Sequence, residues 1–398
     1  MTSRNEETWR KLPNLPKGHS VNGNVYTSRS IYKDEINKIF NKCWQFVCHE
    51  SEVEKLNDFK TLEIIGQPIL IVRGEDGRVR SFLNVCSHRG AKIVHELSGN
   101  SPKFQCFYHL WTYSNTGECI SIPRIEGYQK VDLKKNHLGL REIRTEIFLG
   151  LVFINFDDSS CSLSEYIGDA LEPFANTLGT GELEVFHYNS SVLNSNWKAW
   201  QETNLDLYHE WMHVLLRKTQ IKAETMHHRK VNVFKNGHTS AGGLRASYQE
   251  YLGMKDRKDE KALPGLQAND FFFVDLFPNL AILARGTVIR IDVVTPINEK
   301  SSIVEWRGIG LKGDTEEDRM LRWSHHNQYW GPFGRNVPED AFATEACEAG
   351  FRNGSAKHQI IARDESSSGQ DDGMLRVWYK EWSNRTGRLP ETPDQEEF

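Results

Sequence analysis

The chain has 398 residues with 38% hydrophobic and 26% charged side chains, the balance of a protein with a real core and room for one to three domains. A formal net charge of -5, with basic residues scattered along the chain, argues against wholesale attraction to nucleic acid or anionic lipid. No apolar run approaches the length of a membrane span, and Met1 to Lys17 is polar and lacks a signal-peptide core, so the cytoplasm is the expected compartment.

Taken in order, Lys33 to Trp44 places Ile36, Ile39, Phe40, Cys43 and Trp44 at helical spacing, which predicts a packing helix. From Asp58 to Phe156 the pattern shortens. Runs such as Thr61–Ile65, Pro68–Arg73 and Val79–Leu83 are broken by Gly66, by Glu75-Asp76-Gly77 and later by Asn115-Thr116-Gly117. Strands separated by tight turns predict a small all-β module, with Glu146–Phe156 as its closing strand. A polar break at Asp157–Ser164 follows, then a helix over Leu163–Leu178.

Strand-like segments recur at Glu184–Val192, Val231–Phe234, Phe271–Phe277, Thr287–Thr295 and Ser302–Gly308. Helices are expected over Thr203–Lys218 and Thr315–Trp330, after Pro338 and after Asp371. Met254–Gln267 reads as an exposed loop or a lid, and the tail from Thr386 as a mobile end. Strands and helices in separate blocks predict an α+β class, with an antiparallel sheet flanked by helices. The expected division is an N-terminal segment, 1–45, packing on the catalytic domain, a small β domain, 46–158, and a larger domain, 159–398.

Two Cys-His pairs carry the first chemical signal. Cys86-Ser87-His88 and Cys106-Phe107-Tyr108-His109 are C-x-H and C-x-x-H, each arm holding one thiolate and one imidazole. A Rieske [2Fe-2S] centre needs two Cys on one iron and two His on the other. A structural zinc site takes the same residue types, but zinc fingers usually pair like with like. The seven cysteines are an odd, sparse set that fits free thiols and metal ligands, not a disulfide framework.

The second signal is Asp206-Leu207-Tyr208-His209-Glu210-Trp211-Met212-His213. On a continuous helix His209 and His213 share one face, roughly 6 Å apart along the axis. The same octet matches H-E-x-x-H, a zinc hydrolase pattern with Glu210 as general base. A non-heme Fe(II) oxygenase uses two His and one carboxylate and leaves three positions open. Val337-Pro338-Glu339-Asp340 offers two carboxylates, which read equally well as acids in the first turn of a helix.

Asn84-Val85-Cys86-Ser87-His88-Arg89-Gly90-Ala91 and Cys106-Phe107-Tyr108-His109-Leu110-Trp111-Thr112-Tyr113 resemble the large, alpha subunit of Rieske non-heme iron oxygenases, the aromatic ring-hydroxylating dioxygenase family. One departure is Leu110, where the family usually has Gly. The resemblance extends to Asp206, His209 and His213, and the family's acidic pair selects Asp340 as the third iron ligand, with Glu339 next. It implies that Asp206 bridges the catalytic iron of one subunit to a Rieske His of its neighbour. It further implies a [2Fe-2S] Rieske cluster on Cys86, His88, Cys106 and His109, and a mononuclear Fe(II) on His209, His213 and Asp340. Electrons then come from NAD(P)H through a partner reductase, with or without a ferredoxin. The absence of G-x-G-x-x-G after a strand agrees with nicotinamide binding elsewhere. The resemblance implies a homotrimer, or an α3β3 assembly with a small beta subunit.

The expected activity is that of a terminal oxygenase using O2 to hydroxylate an organic substrate, an aromatic ring compound first, by dioxygenase or monooxygenase chemistry. Small charged substrates, a sulfonate or a quaternary amine, are the alternative within the family. Phe271, Phe272, Phe273, Phe277, Phe333 and Phe342 serve a ring pocket or, more simply, an aromatic core. Arg217, Arg285 and Arg290 are candidates to meet an anionic group.

Overall fold

The structure is a computed structural model that describes residues 12–131, 133, 137–209, 212–213, 230–245, 261–267, 270–330, 334, 336–364 and 370–393. Glu210, Arg217, Phe333 and the 254–260 part of the candidate lid lie outside the described residues. The chain divides into two compact units, one of Met1–Phe40 with Ser164–Phe398 and one of Asn41–Leu163.

The N-terminal arm of the first unit carries strand β1 (Ser20–Asn22) and helix α1 (Arg29–Glu35). Ser28 starts α1 early because its Oγ accepts from the N–H groups of Ser30 and Ile31. A π-helical turn, Ile36–Phe40, then ends it, so the helix expected over Lys33–Trp44 begins before that range and stops short of Cys43.

The Asn41–Leu163 unit is all β. Its strands are β2 (Gln45–His49), β3 (Asp58–Ile64), β4 (Gln67–Arg73), β5 (Val79–Leu83), β6 (Ser98–Asn100), β7 (Lys103–Gln105), β8 (Thr112–Ser114), β9 (Cys119–Ser121), β10 (Glu142–Phe148) and β11 (Leu151–Asn155). Seven of them form a sheet in the order β2-β11-β10-β5-β4-β3-β6, and β7-β8-β9 form a second, smaller sheet. The closing strand expected over Glu146–Phe156 is in fact a hairpin. Leu149 and Gly150, at φ 53 and 79, turn the chain between β10 and β11. Two consecutive positive φ values are what a tight two-residue hairpin turn requires, and the apolar run on both sides hid it.

In the first unit, an antiparallel sheet in the order β12-β18-β17-β16-β15-β14-β13 forms the centre. Its strands are β12 (Leu183–Leu193), β13 (Lys230–Val233), β14 (Thr239–Arg245), β15 (Asp270–Leu276), β16 (Leu280–Arg285), β17 (Val288–Asn298) and β18 (Ser301–Leu311). The short strand β19 (His358–Ile360) pairs with β1. Helices α2 (Trp197–Leu205), α3 (Glu316–Trp330), α4 (Val337–Arg352) and α5 (Gly373–Thr386) complete it. The class is α+β, as the segregated pattern implies.

Two strands escape a sequence reading. β14 is Thr-Ser-Ala-Gly-Gly-Leu-Arg, too rich in glycine to stand out, and β16, Leu-Ala-Ile-Leu-Ala-Arg, is a short apolar run without the alternation of a half-buried strand. The helix expected over Leu163–Leu178 is broken into Leu163–Ile167, Glu172–Phe174 and Ala175–Leu178, with Pro173 in the first turn of the middle piece.

The arm is pinned to the core by one buried carboxylate. Glu35 accepts from Trp197 Nε1 at 2.9 Å and Trp382 Nε1 at 2.8 Å, and Lys198 Nζ lies 2.8 Å away with both charged side chains fully buried. A charge so enclosed is tolerable only when it is paired and hydrogen-bonded, as here.

Candidate metal centres

In the β unit, Cys86 follows β5 and Cys106 follows β7, and the two loops are near copies of each other. Cys86 N–H donates to Ala91 O at 2.8 Å, and Gly90 N–H returns to Cys86 O at 2.9 Å. Cys106 N–H donates to Trp111 O at 2.9 Å, and Leu110 N–H returns to Cys106 O at 2.9 Å. The equivalent residues Gly90 and Leu110 both take positive φ, 73 and 59. The two Cys therefore leave equivalent backbone positions, while His88 and His109 stand one position apart in the two loops.

Both thiols are buried, and the rings of His88 and His109 stand 4.5 Å apart at 75°. Nδ1 of His88 is buried without a hydrogen-bond partner among the described residues, whereas its Nε2 lies 3.4 Å from the Tyr128 hydroxyl. An orphaned ring nitrogen beside two buried thiols fits a group that replaces the missing partner with a metal bond. Trp111 stacks on His88 at 4.8 Å and 4°. The Tyr113 hydroxyl lies 3.2 Å from Cys86 Sγ and accepts from Ser87 N–H at 3.1 Å. Tyr113 was not singled out from sequence; an aromatic seven residues after Cys106 reads as core, and its partner is visible only in the fold. Phe107 and Tyr108 are exposed, so the His109 loop sits at the surface of its unit.

The second centre forms where α2 ends. A continuous helix over Thr203–Lys218 does not exist. Helix α2 stops at Leu205, Asp206 is extended at φ -90 and ψ 90, and a 3-10 turn covers Leu207–His209. The break is local chemistry. Asp206 Oδ1 accepts from Tyr208 N–H at 2.8 Å and His209 N–H at 3.3 Å, capping the new turn. The ring of His209 is held by the same residue through its backbone, with His209 Nδ1 donating to the carbonyl of Asp206.

His209, His213 and Asp340 converge. Their Nε2 atoms are 3.2 Å apart, and Asp340 Oδ1 lies 3.4 Å from His209 Nε2 and 3.3 Å from His213 Nε2. Three ligand atoms on one face of an octahedron, each about 2.1 Å from the ion, stand about 3.0 Å apart, close to this triangle. Asp340 Oδ1 is buried with no hydrogen-bond donor directed at it among the described residues, the second orphaned atom that a cation would satisfy.

Electrostatics agree. Burial alone pulls His209 down, but the Asp340 and Asp206 groups around it lift it to about 9. Burial raises the Asp340 carboxyl, and the two imidazoles more than reverse that, holding it well below the usual carboxylate range. Glu339 takes the supporting role, with Oε2 2.7 Å from His213 Nδ1. Both imidazoles thus spend Nδ1–H on an acceptor and turn Nε2 toward the common point. Pro338 and the acids after it open α4, so the helix start that explains Glu339 and Asp340 as first-turn acids is the same feature that delivers them to the histidines.

A cavity of about 550 Å³ opens beside this triad, lined by His209, Asp340, Asp206, Tyr208, Glu202 and Arg363 among others. The Arg363 guanidinium lies 4.0 Å over the Tyr208 ring. Of the aromatics that the sequence suggests, Phe271, Phe273 and Phe277 are core, and Phe342 is 75% exposed and is not in the described wall of this cavity. Arg285 and Arg290 are buried in the sheet region.

Comparison with known proteins bears on both centres. Residues 43–134 match the Rieske [2Fe-2S] domain, and residues 180–381 match the catalytic domain of the ring-hydroxylating alpha subunit. The chain is 45% identical to the 2-aminobenzenesulfonate 2,3-dioxygenase subunit alpha of Alcaligenes sp, over 97% of this chain and 98% of that protein. It is 37% identical to the methanesulfonate monooxygenase hydroxylase subunit alpha of Methylosulfonomonas methylovora, over 99% and 97%. Naphthalene 1,2-dioxygenase with indole bound shares the fold at a TM-score of 0.79 and 21% identity, covering 97% of this chain and 100% of that one. The zinc hydrolase reading of the His209–His213 octet gives way to these matches. A cluster-type unit and a two-His, one-carboxylate centre, each inside a matched domain, place the chain in the ring-hydroxylating alpha subunit family of Rieske oxygenases, terminal oxygenase components that carry a [2Fe-2S] cluster and a mononuclear iron.

Proposed function

We propose that this alpha subunit oxygenates an organic sulfonate, an aromatic one first. The observation that carries the reading is a gradient among relatives. Those at 45% and 37% identity are named for sulfonates, whereas several at 25% to 27% are named for the carboxylates anthranilate, 2-halobenzoate and terephthalate. Relatives named for the uncharged naphthalene and biphenyl stand at 30% and 32% over 80% and 46% of the chain, and the likeness is greatest, over nearly the whole chain, where the named substrate is a sulfonate.

In this reading Cys86, Cys106, His88 and His109 hold the cluster, and His209, His213 and Asp340 hold the iron. The iron supplies open coordination positions at which O2 is activated, and the cluster supplies electrons singly. The chain's own residues do the rest. Glu339 and the Asp206 carbonyl fix the two imidazoles, and Asp206 stands in the cavity wall next to His209. Electrons enter on that Asp206 side from the cluster of a neighbouring copy, which makes a homotrimer or an α3β3 assembly with a small beta subunit the working arrangement.

Alpha subunits of this family work with a reductase or ferredoxin, and an NAD(P)H-fed partner suits a cytoplasmic setting. Among the described residues no helix is long and apolar enough to cross a membrane. Insertion of both oxygen atoms consumes two electrons and two protons per O2, one NAD(P)H equivalent.

The test is oxygen uptake with a surrogate reductase on matched substrates: 2-aminobenzenesulfonate, benzenesulfonate, methanesulfonate, anthranilate and naphthalene, with product mass followed in parallel. An arylsulfonate is expected to give the highest kcat/KM with product formed in step with oxygen. A preference for anthranilate or naphthalene would remove the sulfonate reading and leave the oxygenase assignment standing.

A further inference from the structure

A buried cluster of oxygens sits in the cavity wall one helical turn before Asp206. Its centre is Glu202 on α2, whose carbonyl accepts from Asp206 N–H at 2.8 Å. Glu202 lines the same cavity as Asp206, His209 and Asp340 and is otherwise enclosed, at 9% exposure. Its Oε1 accepts from the Tyr26 hydroxyl at 2.5 Å and from the Tyr379 hydroxyl, and its Oε2 accepts from Gln359 Nε2 at 3.1 Å. The two tyrosine hydroxyls are 2.9 Å apart, and Tyr26 also reaches Gln359 Oε1 at 3.1 Å. The N-terminal arm, α2, β19 and α5 each contribute one of these four side chains.

Hydrogens are scarce in this cluster. Four of its contacts run from oxygen to oxygen, and the two hydroxyls supply two hydrogens for them. A proton on the Glu202 carboxyl supplies a third. With that proton gone, the carboxylate still has the two hydroxyls and the Gln359 amide as donors. The cluster therefore accommodates both states of Glu202.

The neighbouring charges are already engaged. Lys198, one turn back on α2, lies 2.8 Å from Glu35, and Glu348 on α4 is paired with Arg352 at 3.0 Å. Cys347 on α4 is a thiol that burial and the Glu202 and Glu348 charges push up, so it stays neutral. In the cavity wall, Asp340 belongs to the metal triad, Asp206 caps the Leu207–His209 turn, and Asp372 accepts from Arg363 N–H at 2.8 Å. Burial raises the Glu202 carboxyl, and its three donors and Lys198 offset that only in part. Both tyrosines are pushed well above their ordinary value and stay protonated.

We propose that Glu202 is a proton-relay residue of the oxygenase: it gives its carboxyl proton to water in the catalytic cavity for the reduction of O2, and Tyr26, Tyr379 and Gln359 hold the carboxylate left behind until solvent returns a proton. Monooxygenation and dioxygenation both take up two protons with two electrons per O2, so the demand exists whatever the substrate. One O–H bond breaks at Glu202 and one forms at the receiving oxygen. The cavity, about 550 Å³ with several polar groups in its wall, has room for the water that carries the proton. The assignment rests on the oxygenase family and is independent of the sulfonate reading.

The experiment compares the holoenzyme with Glu202→Gln and Tyr379→Phe, each checked for iron content, cluster spectrum and thermal unfolding. The first measurement needs no turnover. In the infrared difference between the parent and Glu202→Gln, the carbonyl stretch of a protonated carboxyl should grow as the pH falls from about 9 to about 5 and shift in D2O. Absence of that band overturns the proposal. The second is single-turnover product formation from prereduced enzyme, with whichever compound of the panel above the parent turns over fastest. The acid form is the active one, so the parent's rate should fall as pH rises through the carboxyl's raised value. Glu202→Gln should be roughly 100-fold slower and lose that fall, the usual loss for a proton-transferring group. Tyr379→Phe should keep the fall but move it to higher pH, because the carboxylate loses a donor. A Glu202→Gln rate within about threefold of the parent overturns the relay. So does a lowered unfolding temperature in both variants with the pH profile unmoved, since that marks a purely structural tie.

Discussion

Glu339 and Asp340 are neighbours in the first turn of one helix, yet they meet the histidines at different atoms: Glu339 Oε2 lies 2.7 Å from His213 Nδ1, and Asp340 Oδ1 lies 3.3 Å from His213 Nε2. The first sets the ring's orientation; the second shares its ligand point. Asp340→Ala should therefore lose the mononuclear iron and leave the cluster's absorbance intact. Glu339→Gln should keep the site but weaken its metal affinity about 10- to 100-fold, the usual effect of losing such a partner. Iron per chain after graded chelator treatment, with the cluster counted separately by acid-labile sulfide, distinguishes the two. Equal losses from both substitutions would contradict the division of labour.

Asp206 presents a second separable role. Its carboxylate caps the turn through the N–H groups of Tyr208 and His209, and its carbonyl holds the His209 ring. Asp206→Asn keeps a capping oxygen and the carbonyl, so both metal centres should load normally. Loss of the charge at the proposed entry side should still cut product formation by orders of magnitude. Single-turnover transfer from prereduced cluster to the mononuclear site is the direct measurement, and near-normal turnover would exclude Asp206 from the electron path.

Tyr113 tunes the cluster end. Burial and the adjacent Cys86 sulfur push its hydroxyl well above the ordinary tyrosine value, so it stays protonated and would donate to the Cys86 thiolate of a bound cluster. A donor stabilises the reduced, more negative state more than the oxidised one. Tyr113→Phe should lower the reduction potential by roughly 40 mV, the one-electron equivalent of a hydrogen bond worth about 1 kcal/mol. Voltammetry or a mediated EPR titration reads this without turnover, and an unchanged potential would show that the contact carries no electronic weight.

Leu110 takes φ 59, the same handedness as Gly90 in the twin loop, and its side chain is half exposed. A residue with a Cβ is strained in the left-handed region, where glycine is not. Leu110→Gly should stabilise the β unit by about 0.5–1 kcal/mol, the strain relieved less the extra chain entropy of glycine. A rise in the temperature at which the cluster bleaches is the readout; a fall would mean that the leucine packs against something.

Much of this was legible in the sequence because local spacing carries ligand chemistry. Cys86, His88, Cys106 and His109 stand in two short loops whose backbone turns are set within a few residues. Asp340 was harder, since 127 residues separate it from His213 and only the fold brings helix α4 to the end of α2. The misread elements share a cause. Helix α2 breaks because the Asp206 side chain competes for backbone N–H groups, and β10–β11 turns at Leu149-Gly150 without any polar signal, so hydrophobic periodicity ran straight through both.

His238 gives a pH signature away from the metal sites. Its Nε2–H donates to the Tyr166 carbonyl at 2.9 Å, and its Nδ1 accepts from Phe277 N–H at 2.9 Å, which fixes one neutral tautomer. Burial chiefly, with Arg385 adding to it, pulls the ring from the ordinary 6.5 down to about 4. A protonated ring would set N–H against the Phe277 N–H. The native state therefore refuses a proton that the unfolded chain accepts. The contribution of this histidine is fully present above about pH 6.5, falls as pH drops toward 4 and does not fall further below that, because both states are then protonated. The loss across the window is on the order of 3 kcal/mol, two to three pKa steps of about 1.4 kcal/mol each. Denaturant unfolding of the parent and of His238→Gln between pH 7.5 and 4 isolates it. The stability gap between them should narrow steadily through that window, and a gap independent of pH would place the ring's charge change outside it.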